Sequence, residues 1–249
     1  MKRTFLNNLL CMIAVMLTFS SCNKNDEELT SYSYSTLGDI ENANGSEYYV
    51  NSDKGNKLLI NNYPNLKQLG IGEGDRIFAE FFMNENKNEA YNEVIDIYYV
   101  YKVLVKDPIA LTAENSEEVA DDKIDVYNIT CTDKYLNLWY TFYMGGNETH
   151  LLNLVTVDEP KKNEKGYVYV EFRHNSKDDP SLHPYNGIVS FKLDQLKADN
   201  PDAKGLIIRV RTYNNGEYFY QINFDGTSEE VQEVAAAKQK LSEVFDLAE

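Results

Sequence analysis

The stretch "YVYVEFRHNSKDDPSLHPYNGIVSFKL" (167–193) predicts two β-strands joined by a broad turn. Side chains on a strand alternate between its two faces, so every second residue of the first strand belongs to one row. One row is apolar and ends in a histidine: Val168, Val170, Phe172 and His174. The other row is rich in tyrosine and charge: Tyr167, Tyr169, Glu171 and Arg173. We expect the first row to face a core, with His174 placed to hold the turn that follows.

The turn itself is rich in residues that interrupt strands. Pro180 and Pro184 cannot donate to a continuous ladder, and aspartates favour local backbone hydrogen bonds. The turn and its edges also concentrate polar groups that could recognise a ligand. These candidates for a recognition loop are Arg173, His174, Asp178, Asp179 and His183.

A metal site in this turn is one alternative. His174, His183 and either aspartate would form a two-histidine, one-carboxylate set for zinc. The pair Asp178 and Asp179 would equally suit calcium, although it lacks the repeated oxygen ligands of a dedicated calcium loop. Neither spacing matches a known ligand pattern, so we predict no metal and no other cofactor. A structural corner of a β-sandwich is the simpler interpretation.

Sequence signals of catalysis are missing elsewhere. The chain contains no G-x-S-x-G turn, no H-E-x-x-H motif and no phosphate-binding glycine loop. Cys131 lies within an apolar strand pattern, where an inert core thiol is expected. We therefore predict that the protein is not an enzyme and has no catalytic residues.

Seven short apolar or alternating segments between residues 123 and 226 predict an antiparallel β-sandwich. In "YLNLWYTFYM" (135–144) the stronger apolar face is Leu136, Leu138, Tyr140 and Phe142. Trp139 then lies on the opposite face, either exposed or between two domains. An exposed Trp139 would favour stacking on a sugar ring, whereas a buried one would favour a structural or protein-binding role.

Residues 31–108 predict a smaller β-domain. Five strand patterns with one long connection favour a small barrel of the oligonucleotide/oligosaccharide-binding (OB) type. The clearest pattern is "NEVIDIYYVYKVLV" (92–105), which alternates as a single strand. Its predicted common face is Ile95, Ile97, Tyr99, Tyr101, Val103 and Val105.

Two further segments complete the mainly β architecture. The acidic segment 109–122 predicts a linker between the barrel and the sandwich. Residues 227–249 predict a C-terminal helix, because Thr227 and Glu230 form a capping box and the apolar residues after them follow helical spacing.

The first residues predict export and a lipid anchor. Lys2 and Arg3 precede the apolar run "LLCMIAVMLTF" (9–19), which is far shorter than the roughly 20 residues that span a bilayer. The sequence "FSSC" (19–22) resembles a bacterial lipobox, with phenylalanine at the usual aliphatic position. We expect a signal peptide over 1–21, an acylated Cys22 and a polar tether over 22–30.

Charge limits the partners. The chain has 24 basic and 40 acidic residues, a net charge of -16, and loss of Lys2 and Arg3 with the signal leaves 22 against 40, or -18. Such a surface repels phosphate backbones, so we do not expect nucleic acid as a partner.

The cysteines allow no disulfide in the mature protein. Once Cys11 is removed and Cys22 is acylated, Cys131 has no disulfide partner, and the core must hold the fold.

Several stretches carry a resemblance to a known family: Cys22, "GEGDRIFAEF" (72–81), "YLNLWYTFYMGGNETHLLNLV" (135–155), "VEFRHNSKDD" (170–179) and "GIVSFKL" (187–193). They are similar to parts of the NigD-like family of Bacteroides-type lipoproteins. The resemblance covers about residues 20 to 225 and implies an OB-type barrel followed by a β-sandwich, with no established catalytic residues. The helix after residue 227 departs from the family pattern.

We therefore predict a lipoprotein of the outer membrane, facing the periplasm or the cell surface, with a non-enzymatic binding role. The resemblance implies a protein partner, either an envelope protein or a bacteriocin against which the protein gives immunity. The alternative is a glycan-binding accessory lipoprotein of a polysaccharide-uptake system, with Trp139 and tyrosines stacking on sugar rings.

Overall fold

The structure, a computed structural model, describes residues 33–146, 148–157 and 166–226. The predicted signal peptide, Cys22, the tether over 22–30 and the helix over 227–249 lie outside the described residues. Within them the chain is mostly β, and the predicted order of an OB-type barrel followed by a β-sandwich is confirmed.

The N-terminal domain is a five-stranded barrel with one short helix. Its elements are β1 (Tyr34–Asn42), β2 (Tyr48–Ser52), β3 (Lys57–Ile60), α1 (Tyr63–Gln68), β4 (Arg76–Met83) and β5 (Glu93–Lys102). The strands close in the order β1-β2-β3-β5-β4, and β1 pairs with β4 to complete the ring. Pro64 suits the first turn of α1, and Leu66 of the same helix is buried in the barrel core.

A β-bulge divides β5 into two halves. The register between β4 and β5 shifts at Glu80 and Phe81, which leaves Tyr98 as the extra residue on β5. Ile95 and Ile97 therefore face the barrel core, whereas Tyr99 is 51% exposed. The single alternating face predicted for residues 95–105 is wrong for this reason, since a bulge reverses the faces of the residues beyond it.

The C-terminal domain is a two-layered sandwich. Its elements are β6 (Leu104–Lys106), β7 (Ile109–Ala110), α2 (Ser116–Val119), β8 (Asp125–Cys131), β9 (Tyr135–Met144), β10 (Leu151–Thr156), β11 (Tyr167–Asn175), β12 (His183–Lys192), α3 (Asp194–Asp199), β13 (Gly205–Thr212) and β14 (Gly216–Asn223). One sheet has the order β14-β13-β11-β10-β7 and the other β6-β12-β9-β8. Three pairs, β7 with β10, β11 with β13 and β6 with β12, run parallel, so the sheets are mixed rather than purely antiparallel.

The apolar row of β11 lies in the sandwich core as predicted. Val168, Val170 and Phe172 each have no exposed surface, and His174 is 1% exposed at the end of β11. The predicted face of β9 meets them from the opposite sheet: Leu136, Leu138, Tyr140 and Phe142.

Residues 109–122 belong to the sandwich and do not form a separate linker. Ile109 and Ala110 of β7 pair with the end of β10. Further along the segment, Asp121 lies on the outer face of the five-stranded sheet, where it accepts two hydrogen bonds from Arg209 at 2.8 and 3.1 Å. Asp121 and Asp122 therefore hold the end of this segment to the sandwich.

The two domains meet directly. Val103 is the one residue between β5 and β6, so the chain passes from the barrel into the sandwich without a spacer. Leu37 and Val103 of the barrel side pack with Ile188 of β12, and Trp139 lies half-buried against this cluster. Trp139 is thus between the domains, which is one of the two positions that the sequence allowed.

Candidate functional site

The predicted recognition loop is a corner that carries the chain from one sheet to the other. It leaves the five-stranded sheet at Asn175 and enters the four-stranded sheet at His183. Lys177 and Asp178 have φ values of 55° and 60°, in the left-handed region that the tight corner requires. The backbone N–H and hydroxyl of Ser176 both donate to Asp122, at 2.8 and 2.6 Å, and so fix the start of the corner.

Two histidines and an aspartate form a buried chain of hydrogen bonds beneath this corner. Nδ1 of His174 lies 2.9 Å from the carbonyl oxygen of Lys123, and because a carbonyl can only accept, Nδ1 carries the proton. Burial lowers the pKa of His174, which keeps the ring neutral and leaves Nε2 as an acceptor. Nδ1 of His150 lies 2.8 Å from that Nε2.

Asp179 lies at the end of this series of hydrogen bonds. Its Oδ2 lies 3.2 Å from Nε2 of His150 and accepts the backbone N–H of Gly145 at 2.7 Å. The hydrogen bond from Gly145, followed by that from His150, lowers the pKa of Asp179 although burial opposes this. The ring of Phe142 stacks on both imidazoles, with centroid distances of 4.4 Å to His150 and 4.8 Å to His174. These hydrogen bonds connect β11, the residue that precedes β10 and the corner.

The other predicted loop residues do not join this chain. Arg173 lies on the outer face of β11, where it pairs with Glu171 and Asp121 and donates to the carbonyl of Ala120. Asp178 and His183 are exposed. The zinc set that the sequence offered as an alternative, which needed His183, is not assembled, and the described residues contain no cluster of three or more side chains suited to a metal ion.

We expect His174 to make the protein sensitive to mild acid. Because its pKa is lowered in the folded state, below about pH 6.5 the unfolded chain binds a proton that the folded chain does not. The free energy of unfolding should then fall with decreasing pH, by at most about 1.4 kcal/mol per pH unit. Urea unfolding at pH 7.5, 6.5 and 5.5 measures the slope.

His174→Asn should reduce this slope, since asparagine keeps a donor for Lys123 but does not titrate. His183→Asn is the matched control, because His183 is exposed, and should leave the slope unchanged. Equal slopes in the unsubstituted protein and in His174→Asn would contradict the assignment.

A second candidate surface lies on the barrel. Phe82, Tyr98 and Tyr99 are 36%, 49% and 51% exposed, and we call them the outer aromatic face. The rings of Phe82 and Tyr98 stack with centroids 4.6 Å apart, and the Tyr98 hydroxyl donates to Glu80 at 3.0 Å. The bulge in β5 turns Tyr98 and Tyr99 to the same side as Glu80.

Neither His150 nor the outer aromatic face is among the sites predicted from sequence patterns. His150 lies 24 residues from His174 and 29 from Asp179, and it belongs to no local motif. For the aromatic face, the consecutive tyrosines 98 and 99 were a signal, because an alternating strand would bury one of them. Cys131 is buried as predicted, and burial raises the pKa of its thiol to about 11.

Comparison with protein families identifies both domains. Residues 37–103 match the NigD-like N-terminal OB domain, and residues 107–224 match the NigD-like C-terminal beta sandwich domain. The chain belongs to the NigD-like family. The family boundary, between residues 103 and 107, falls where β5 gives way to β6, in agreement with the direct junction of the domains.

Solved structures share the fold of this NigD-like chain. A protein of unknown function from Bacteroides vulgatus is 22% identical, with a TM-score of 0.68 over 81% of this chain and 95% of its own. A NigD-like immunity protein from Bacteroides caccae is 18% identical, with a TM-score of 0.55 over 78% of this chain and 93% of its own. A comparison with curated proteins gives no match. Among the described residues, no helix is long and apolar enough to cross a membrane.

Proposed function

We propose that this NigD-like protein is a lipid-anchored lipoprotein of the outer membrane that binds a cationic protein through the outer aromatic face and has no enzymatic activity. The observation that carries the proposal is the cluster of Phe82, Tyr98 and Tyr99, which remains exposed although the fold has a large core elsewhere. Aromatic residues are enriched at the energetic centres of protein interfaces, and tyrosine presents a large rigid surface at low entropic cost.

Charge supports the choice of partner. Glu80 lies within the aromatic face, Asp96 pairs across the strands with Phe82, and the whole chain carries a net charge of -16. Complementary charge accelerates encounter with a basic partner. A bacteriocin against which the protein gives immunity is the specific form of the proposal, and it is supported by the likeness to the NigD-like immunity protein from Bacteroides caccae.

The alternative function, a glycan-binding accessory lipoprotein, relied on Trp139 for stacking on a sugar ring. That side chain lies half-buried between the domains, packed against the cluster of Leu37, Val103 and Ile188, so it offers little surface to a sugar. This observation favours a protein partner over stacking of a glycan at Trp139.

Affinity capture tests the binding role. The full chain is immobilised and exposed to envelope extract and culture supernatant of its own cells, and retained proteins and sugars are identified separately. We expect one basic protein, with retention that weakens as salt is added. The double substitution Phe82→Ser with Tyr98→Ser should abolish retention. Tyr127→Ser, at a tyrosine that is 59% exposed on β8, is the matched control and should retain the protein.

Immunity and anchoring have separate tests. Cells without the protein should become sensitive to supernatant of the parent strain, and the full chain should restore resistance while the Phe82→Ser, Tyr98→Ser chain should not. Metabolic labelling with a fatty acid should mark the protein in the membrane fraction, and Cys22→Ala should lose the label. Capture that is unaffected by the aromatic substitutions would refute the proposed surface.

A further inference from the structure

The outer face of the five-stranded sheet carries an apolar cluster that belongs to neither domain core. Its members are Tyr167 and Tyr169 of β11, Ile207 of β13 and Phe219 of β14, and we call them the outer sheet cluster. The residues that alternate with them, such as Ile208, lie in the sandwich core. Outward-facing residues of a sandwich are normally polar, so a sheet that is apolar on both faces indicates a third layer.

The outer sheet cluster is covered rather than open to water. Each of its four side chains is between 5% and 8% exposed. Within the described residues, the partly buried apolar side chain that packs against the cluster is Val157, which follows β10. One valine is too small to cover rings that come from three strands, so a further segment must lie on this face.

The acidic segment 109–122 occupies only the other end of the same face. Asp121 pairs there with Arg173 and Arg209, and α2 contacts β10 and β11. The next residue, Asp122, donates its backbone N–H to the carbonyl of His174 at 2.8 Å, and the chain then enters β8 in the opposite sheet. The tyrosines of the cluster lie at the start of β11, beyond the reach of this segment.

Two other segments continue from this sheet outside the described residues. The run "DEPKKNEK" (158–165), between β10 and β11, contains no large apolar side chain. The C-terminal residues 227–249 follow β14 and have an apolar stripe at helical spacing, formed by Val231, Val234, Leu241, Val244 and Phe245. Of these two segments, the C-terminal one has the composition of an apolar layer.

The C-terminal segment also begins at the right place. β14 ends at Asn223, which pairs with Gly205, and Gly205 pairs in turn with Tyr167 of the cluster. Gly226 closes a turn by donating its N–H to the carbonyl of Asn223 at 3.1 Å, and its φ of 79° suits the reversal of the chain. A helix over residues 227–245 would be about 28 Å long, whereas three adjacent strands span about 10 Å. The segment is therefore long enough to cross the cluster.

We propose that residues 227–249 form an amphipathic helix that packs on the outer sheet cluster as the third layer of the sandwich. The apolar stripe faces the sheet, and the charged residues of the opposite side remain in water. An isolated helix of this length is marginally stable in water, so the sheet supplies most of its stability. This docking closes the outer face of the sheet to partners, and it does not depend on the protein-binding surface proposed above.

Hydrogen exchange tests whether the segment is docked. We expect the amides of residues 231–245 to exchange at least about tenfold more slowly in the full chain than in the free peptide 227–249. Val234→Asp with Leu241→Asp should abolish this protection, because the docked helix would bury two unpaired charges. Gln232→Asp with Gln239→Asp is the matched control, since it makes the same change of charge on the opposite side of the helix, and should keep the protection.

Cross-linking identifies the surface on which the segment docks. A photoreactive benzoylphenylalanine in place of Phe245 should link, within one chain, to peptides of β11, β13 or β14. The same group in place of Gln239 should not. Slow exchange together with these links supports the proposal.

Three results would overturn it: equal exchange in the chain and the peptide, links from position 245 to other strands, or links between two chains. The last result would assign the cluster to an interface between copies of the protein. Phe82→Ser with Tyr98→Ser should change neither exchange nor cross-linking, which separates this test from that of the protein partner.

Discussion

Replacing Arg76 with methionine should lower the free energy of unfolding by about 3–5 kcal/mol, because it removes one partner of a buried ionic network. The Arg76 side chain is 1% exposed and pairs with Asp39 at 3.0 Å and Asp53 at 2.6 Å. Its guanidinium also donates to Asn137 at 2.9 Å and to Ser190 at 2.8 Å in the sandwich. The substitution leaves two carboxylates near each other and these acceptors without their charged donor.

The same substitution should weaken the junction between the domains. Arg76 begins β4 of the barrel, whereas Asn137 and Ser190 lie on β9 and β12 of the sandwich, so one side chain connects both domains. Urea unfolding followed by fluorescence measures the loss. We expect a lower urea concentration at the unfolding midpoint. If the barrel then unfolds before the sandwich, two transitions should appear instead of one.

Lys102→Met is the matched control. Lys102 pairs with Asp75 at 2.6 Å in the same barrel, but its side chain is 58% exposed, so water screens the pair. Its loss should cost less than about 1 kcal/mol. Adding Asp53→Asn to Arg76→Met should recover part of the stability, since it removes one uncompensated charge. A loss below about 1 kcal/mol for Arg76→Met would show that the network is not coupled to folding.

The position of Arg76 also shows where sequence patterns stop being informative. Periodicity predicted the strand that it begins, but its partners lie 23 to 114 residues away in the chain. The same holds for His150, whose partners become visible only when β10 and β11 are paired. Alternation assigned the faces of β9 and β11 correctly because one face of each is continuously apolar and a one-residue shift would expose it.

Composition was a poor predictor of a linker where charged side chains have a structural role. The segment 109–122 has the acidity of a solvated linker, yet Asp121 pairs with Arg209, and Asn175 donates to the carbonyl of Glu118 at 2.7 Å. Burial acts to lower the pKa of Arg209, but Asp121, Glu171 and Glu217 raise it overall. No single segment predicts this arrangement, because its cations come from β11 and β13.

Replacing Phe172 with alanine should cost about 3–5 kcal/mol of unfolding free energy, the cost typical of a cavity left by a fully buried aromatic ring. Phe172 has no exposed surface and lies in the centre of the sandwich core. Its ring meets Phe191 edge to face at 5.9 Å and Tyr140 at 6.3 Å, and both of these neighbours come from the opposite sheet. The cavity therefore lies between the two sheets. The sheets cannot move together to fill it without breaking hydrogen bonds between their strands.

Two variants test whether the cavity is the cause. Phe172→Leu retains most of the volume and should cost clearly less than alanine. Phe82→Ala removes the same ring from the outer aromatic face, where it is 36% exposed, and should change stability by no more than about 1 kcal/mol. Thermal and urea unfolding of the three variants give the comparison. Equal losses for Phe172→Ala and Phe82→Ala would contradict a core between the sheets at Phe172, since burial is what distinguishes the two rings.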